Sequence, residues 1–295
     1  MRQFVLFLLV TFVSTAFSPE TLSAQPPGTD IYLVSLTSSG GSLRFGELTN
    51  VTDRDGYDNQ PYFLPDGSAI LYTSNRGDQT DIYRYDIGTG RTSAVTETSP
   101  ESEYSATVTP RGNVFTVIRV EADSMQRLWQ FDMHGGNPEV LLPDIAPVGY
   151  QAWGNEFTLG IFVLGNPSTF QIADVRTGVG QIVAYNVGRS IHKIPGRHKI
   201  SFTHRVPELW IKEIDIDSWS VRPLVQLMES EFYAWTPDGS VLTGDGSTLY
   251  RWQYIGGSDW EMVRDFAPEG LDGISRLAVS PDGRWLAIVG NRTAP

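Results

Sequence analysis

The sequence predicts an all-β fold, a six-bladed β-propeller of four-stranded blades, and three observations carry that prediction. A Pro-Asp-Gly turn motif recurs at a nearly fixed period, a second strand signature runs in phase with it, and one copy of that signature stands ahead of the first turn. Four strands and their turns fit such a period, and self-similarity on this scale marks ring and solenoid architectures.

The turn motif is clearest at Pro65-Asp66-Gly67, Pro237-Asp238-Gly239 and Pro281-Asp282-Gly283, with Pro110-Arg111-Gly112 as a one-residue variant. Two degenerate copies complete the set: Gly154-Asn155 after Gln151-Ala152-Trp153, and Pro195-Gly196 after Ile191 to Ile194. Positions 65, 110, 155, 195, 237 and 281 are therefore spaced by 45, 45, 40, 42 and 44 residues. The second signature occupies Asp81 to Asp86, Arg127 to Asp132, Thr169 to Asp174, Glu208 to Glu213 and Thr248 to Trp252. These segments alternate with period two, and their β-branched and aromatic residues suit a pleated, half-buried surface. Gly88 to Gly90, Gly135-Gly136, Thr177-Gly178 and Gly256-Gly257 follow four of them, and glycine supplies the positive φ of tight hairpins. No useful helical period follows residue 25.

The displaced copy is Asp30-Ile31-Tyr32-Leu33-Val34-Ser35, and the turn at 281 is followed by a single strand signature, Trp285 to Val289. N-terminal strands at about 30–36 and 43–49, set beside strands at about 274–289, complete a sixth blade and close the ring. Closure of this kind leaves no long sheet edge exposed.

The stretch Asp58-Asn59-Gln60-Pro61-Tyr62-Phe63-Leu64-Pro65-Asp66-Gly67, then Ile70 to Arg76, then Asp81-Ile82-Tyr83 resembles the WD-like repeat of the propeller domain of the TolB family, periplasmic components of the Tol-Pal system. The resemblance runs over residues 25–295, is strongest in the first blade and weakest in the third and fourth. The α/β domain that TolB carries before its propeller has no expected counterpart between residue 25 and the first strand. Similar repeats build the propellers of prolyl oligopeptidase-type exopeptidases, whose hydrolase domain is likewise not expected. The resemblance implies a scaffold that binds a protein or small ligand and supplies no catalytic residue.

Residues 1–24 read as a signal peptide. Arg2 precedes the apolar run Phe4 to Val10, continued by Phe12 and Val13, the charged-then-apolar layout of such segments. Ser14, Thr15, Ser18, Pro19 and Glu20 interrupt it, well short of the ~20 apolar residues of a membrane span. Cleavage is expected after Ala24, with Ala16 as a second option, leaving residues 25–295 as a single propeller domain. The mature chain is then exported, periplasmic or secreted, without a transmembrane segment, and is expected to be a monomer. Cysteine is absent, which excludes disulfides and thiolate chemistry.

The formal charge is −12, and it survives cleavage because Arg2 and Glu20 cancel. Nucleic acid and anionic membranes draw affinity from Lys and Arg, and Arg189, Lys193, Arg197, Lys199 and Arg205 read as scattered. No nucleic-acid partner is expected.

Catalytic constellations are hard to find. The glycine-flanked serines in Ser39-Gly40-Gly41-Ser42 and Gly244-Asp245-Gly246-Ser247 read as hairpin turns rather than nucleophile elbows. His192, His198 and His204 recur every six residues but spread along a hairpin, whereas metal ligands must converge. The loop Asp53-Arg54-Asp55-Gly56-Tyr57-Asp58-Asn59 offers Asp53, Asp55 and Asp58 as a candidate calcium loop. It lacks the closing bidentate Glu, and Asp and Asn also cap turns through their own backbone. No cofactor is expected.

Position gives the better candidates. Segments entering each innermost strand surround one mouth of a propeller channel, so residues five and six before each turn form a rim: Asn59, Gln60, Tyr104, Tyr150, Arg189, Glu231, Phe232 and Arg276, with Ser105, Gly149, Ser190 and Ser275 between them. A concavity with convergent polar groups is the default binding site. The expected function is a non-enzymatic TolB-like scaffold that binds an envelope protein or peptide there. The alternative is a propeller enzyme of lactonase, lyase or glycan hydrolase type acting on a small molecule or saccharide, for which Glu231 with Arg189 is the available rim pair.

Overall fold

A computed structural model describes residues 28–39, 41–77, 79–257 and 259–292. The expected signal peptide and both cleavage sites lie outside these residues, as does Gly40 of the first glycine–serine turn.

Among the described residues, twenty-four strands form six four-stranded antiparallel sheets. Blades 1 to 5 are continuous in sequence and begin with the innermost strands Asp58–Phe63, Ser102–Val108, Val148–Trp153, Val187–Lys193 and Tyr233–Trp235. Blade 6 takes its inner strands from Leu271–Val279 and Trp285–Arg292 and its outer strands from Asp30–Ser39 and Ser42–Asn50. The seam runs antiparallel from Asp30 opposite Gly290 to Ser35 opposite Trp285. The ring is thus closed by the N-terminal strands, as the displaced signature predicts.

Local chemistry explains the hairpin inside each blade. The Asp of the motif accepts the N–H two residues on, Asp66 from Ser68 at 3.0 Å, Asp238 from Ser240 at 3.1 Å and Asp282 from Arg284 at 3.0 Å. The following Gly adopts φ of +70, +87 and +71°, a region open to glycine without a Cβ penalty. In blade 3, Asn155 does the same work, its Oδ1 accepting from the Phe157 and Thr158 N–H groups at 2.9 Å each. The degenerate third and fourth copies both make complete four-stranded blades.

Six apolar clusters hold the ring, one at each seam between neighbouring blades. Leu71 and Ile82 pack on Phe115 and Phe131 between blades 1 and 2, and Phe170 stacks on Phe202 at 4.3 Å between blades 3 and 4. Ile31 and Leu33 meet Phe63 and Ile70 between blades 6 and 1, while Tyr32 and Val34 meet Leu242 and Leu249 between blades 5 and 6. Because each sheet is covered on both faces, its second strand is buried almost throughout, as in Ala69–Asn75 and Val114–Val120; sheets buried on both sides read as continuous apolar runs. No helix among the described residues is long and apolar enough to cross a membrane.

Candidate functional site

The channel along the ring axis is an open cavity of about 510 Å³ lined by residues of all six blades. What aims side chains into it is irregular backbone. Five of the six innermost strands slip register near the mouth, between Asn59 and Tyr62, Tyr104 and Thr107, Val148 and Tyr150, Val187 and Ile191, and Asp272 and Arg276. A bulge bends its strand and re-aims the extra side chain. Gln60 and Ser105 sit at two of these slips with φ of 57 and 55°, a conformation that non-glycine residues hold only when their surroundings fix it. Those surroundings are a chain of hydrogen bonds across blades: the Gln60 side-chain oxygen accepts from the Ser105 N–H and the Thr73 hydroxyl, both at 2.8 Å. Ser105 in turn accepts from Gln151 at 3.4 Å, and Gln151 accepts from Thr116 at 2.7 Å.

The nominated rim residues divide between channel, shoulder and seam. Gln60, Tyr150, Arg189, Phe232 and Arg276 line the channel. Tyr104 faces a neighbouring hollow of about 470 Å³ over blades 1 to 4, and Glu231 one of about 530 Å³ over blades 4 to 6. Asn59 turns away: it is buried, its amide reaches the Thr29 hydroxyl at 3.2 Å, and its oxygen caps the Gln60 N–H. In the acidic loop, Asp58 is fully buried and committed to Arg54 at 2.8 Å and Ser74 at 2.5 Å. Among the described residues no three His, Asp or Glu side chains are grouped to hold a metal ion.

Two arginine arrangements dominate the mouth. Glu231 is clamped by Arg189, Nε to carboxylate 2.7 Å, and by Arg205 at 2.5 Å. Burial alone would raise its pKa, but the hydrogen bonds from Arg205 and Arg189 outweigh that and hold the carboxyl below its ordinary value. Arg276 lies between two rings, 4.2 Å from the Phe232 centroid and 4.9 Å from that of Tyr150, and donates to the Tyr150 hydroxyl at 2.8 Å. Arg189 also lies over Phe232, at 5.6 Å.

His192 and Lys193 line the channel below this layer. His192 Nε2 is 2.9 Å from Ser190 Oγ, and its ring packs edge-on against Tyr233 at 4.7 Å. Burial first, and then the charge of Arg276, push its pKa down to about 4. The other two evenly spaced histidines go elsewhere, His198 to an exposed contact with Asp217 and His204 to the end of the second strand of blade 4.

Sequence reasoning missed two members of the site. Arg205 belongs to the apparently scattered basic residues, yet the fold brings it beside Arg189, 16 positions away in the chain, through their shared Glu231. Tyr57, passed over as part of the acidic loop, lies within the electrostatic reach of Arg276, Tyr150, Tyr104 and Arg189; burial first raises its pKa, to about 12. Its signal was its place just ahead of the first innermost strand.

Glu103, next to Tyr104, is a buried neighbour of the rim. It is fully buried, accepts from Thr98 at 2.5 Å, and lies 3.2 Å from Arg119. Burial nevertheless pushes its carboxyl up to about 7. A raised carboxyl pKa gives stability that is complete below the unfolded value of 4.5 and is lost as pH rises through about 7. Glu103→Gln is therefore expected to melt roughly 3–6 °C above the parent near pH 8.5, on the order of 2 kcal/mol, with the gain shrinking toward pH 4.5. A difference that does not change with pH in calorimetric melts would contradict this assignment.

The fold and the open, bulge-lined mouth define a class: a six-bladed β-propeller with a TolB-like fold and an open central cavity. No protein-family model matches the chain, and no curated protein matches it. Among solved structures it is similar to a protein described as TolB from Agrobacterium tumefaciens, at 17% identity over 91% of this chain and 99% of that one, TM-score 0.68. It is also similar to TolB from Acinetobacter baumannii, at 15% identity over 90% of this chain and 64% of that one, TM-score 0.57. An oligogalacturonate lyase from Vibrio parahaemolyticus shares the fold at 14% identity over 88% of this chain and 78% of that one, TM-score 0.54. At these identities the likeness is one of fold.

Proposed function

We propose that this protein is a non-enzymatic propeller scaffold, exported to the periplasm or secreted as the single domain 25–295, that binds a protein or peptide partner at the channel mouth. One observation carries the reading: side chains from all six blades converge on one open cavity, and backbone slips in five of the innermost strands aim them there. Tyr and Arg, the residues found here, are those enriched at binding hot spots. The titratable groups suit binding better than proton transfer. A general base works best with a pKa near the operating pH, whereas His192 is held near 4 and Glu231 is neutralised between two arginines.

Affinity capture from an envelope extract tests the reading. The wild-type protein is expected to retain a partner that the Tyr104→Ala, Arg189→Ala, Arg276→Ala triple variant loses. Equal retention by a folded triple variant would remove the mouth from the proposal.

A second reading, an enzyme of lyase, lactonase or glycan hydrolase type acting in the channel, is favoured by the fold shared with an oligogalacturonate lyase and by the cations in the channel. Turnover of oligogalacturonate to an unsaturated product, followed by ultraviolet absorbance and lost in Arg276→Ala, would replace the scaffold reading.

A further inference from the structure

We infer that the mouth receives a carboxylate of an acidic peptide, seated on the Arg276 guanidinium between Tyr150 and Phe232. This rests on the peptide-binding reading above and names the chemistry of its ligand.

Charge is segregated in this molecule. The chain as a whole carries −12, yet the charged residues lining the channel are Arg189, Lys193 and Arg276, with no Asp or Glu among the lining side chains. The neighbouring carboxylate, Glu231, is spent on Arg189 and Arg205. Among the described residues Arg276 has no carboxylate within ion-pair distance, and the Tyr150 hydroxyl is its one hydrogen-bond acceptor. A guanidinium has five N–H donors in a planar fork, so most of them remain free to meet a ligand. The two aromatic faces hold the fork in place, which reduces the ordering cost of binding, and a planar fork matches a carboxylate in the bidentate manner.

The surroundings favour a peptide over a sugar acid. The hollow beside the channel is walled in part by Ile118, Val120, Phe162 and Leu164, and Leu164 is 39% exposed. The aliphatic part of that wall, Ile118, Val120 and Leu164, suits hydrocarbon side chains that flank an acidic residue; a hydroxyl-covered saccharide leaves these three unused.

The test uses a fluorescently labelled octapeptide of alternating Glu and Leu, its isosteric Gln analogue, and trigalacturonate. The Glu peptide is expected to bind the wild-type protein at least ten-fold more tightly than the Gln peptide, and Arg276→Gln to remove that preference. Arg111→Gln, at an exposed ion pair with Glu156, should keep it. If Arg276→Gln fails to fold in a thermal melt, Arg276→Lys serves, which keeps the charge and loses the fork; an undiminished preference in either folded variant overturns the role of Arg276. Equal binding of the two peptides overturns the carboxylate inference and leaves the peptide reading standing. Binding of trigalacturonate alone, or of none of the three, overturns both.

Discussion

Deletion of residues 29–50 is expected to abolish the cooperative melt and the native β signature in circular dichroism. These residues supply both outer strands of blade 6 and the side chains Ile31, Tyr32, Leu33, Val34 and Leu36, each at most 5% exposed. Burial of one such side chain contributes about 1.5–3 kcal/mol, so five together rival the ~5–15 kcal/mol that stabilises a whole domain. The loss is not confined to one blade. Ile31 and Leu33 complete the seam to blade 1, and Tyr32 and Val34 complete the seam to blade 5. Without them the ring opens, and Trp285–Arg292 becomes an unpaired edge. A truncated chain that kept a sharp, reversible melt would mean that five blades and a half suffice.

Gly135→Ala is expected to be the most damaging small substitution in blade 2. Gly135 holds φ +80°, and a Cβ there would sit 1.8 Å from the carbonyl oxygen of Val95, in the segment leaving blade 1. Backbone cannot swing aside as a side chain can. Left-handed backbone costs a non-glycine residue about 1–2 kcal/mol, and forced overpacking adds about 1–3 kcal/mol, so a melting point lower by roughly 5–12 °C follows. Gly112→Ala separates the two effects. Gly112 has φ +74° and nothing within 4 Å of a Cβ, so it should lose only the ~1–2 kcal/mol of backbone strain. Equal losses at the two positions, measured by thermal or denaturant unfolding, would show that the contact with Val95 yields.

The blade count and the closure were legible because they rest on local chemistry. The turn residues set each hairpin, and the displaced Asp30–Ser35 signature could pair only with the incomplete copy around 281. Blade 3 was faint for a reason visible in the fold: Asn155 closes its hairpin through the same side-chain acceptance as the motif Asp, so the repeat decays in sequence while the turn persists. The rim was legible only as a set of positions. Counting back from each turn points to Gln60, Tyr150, Arg189, Phe232 and Arg276, which the channel gathers. It also points to Asn59, which a one-residue difference in facing sends into the seam.

What the sequence determined by itself is the architecture: period-two strands, aspartate–glycine turns and a chain whose first and last strands share one blade, all set by interactions between residues close in sequence or by the arithmetic of the repeat. What only the tertiary structure decided is the chemistry of the mouth. Arg276 stands between Tyr150 and Phe232, residues 126 and 44 positions away in the chain, and Arg205, just past the second strand of blade 4, reaches Glu231 ahead of the innermost strand of blade 5. A protein with a formal charge of −12 encloses a cationic channel because ring closure and strand slips choose which side chains face inward, and no local pattern encodes that choice.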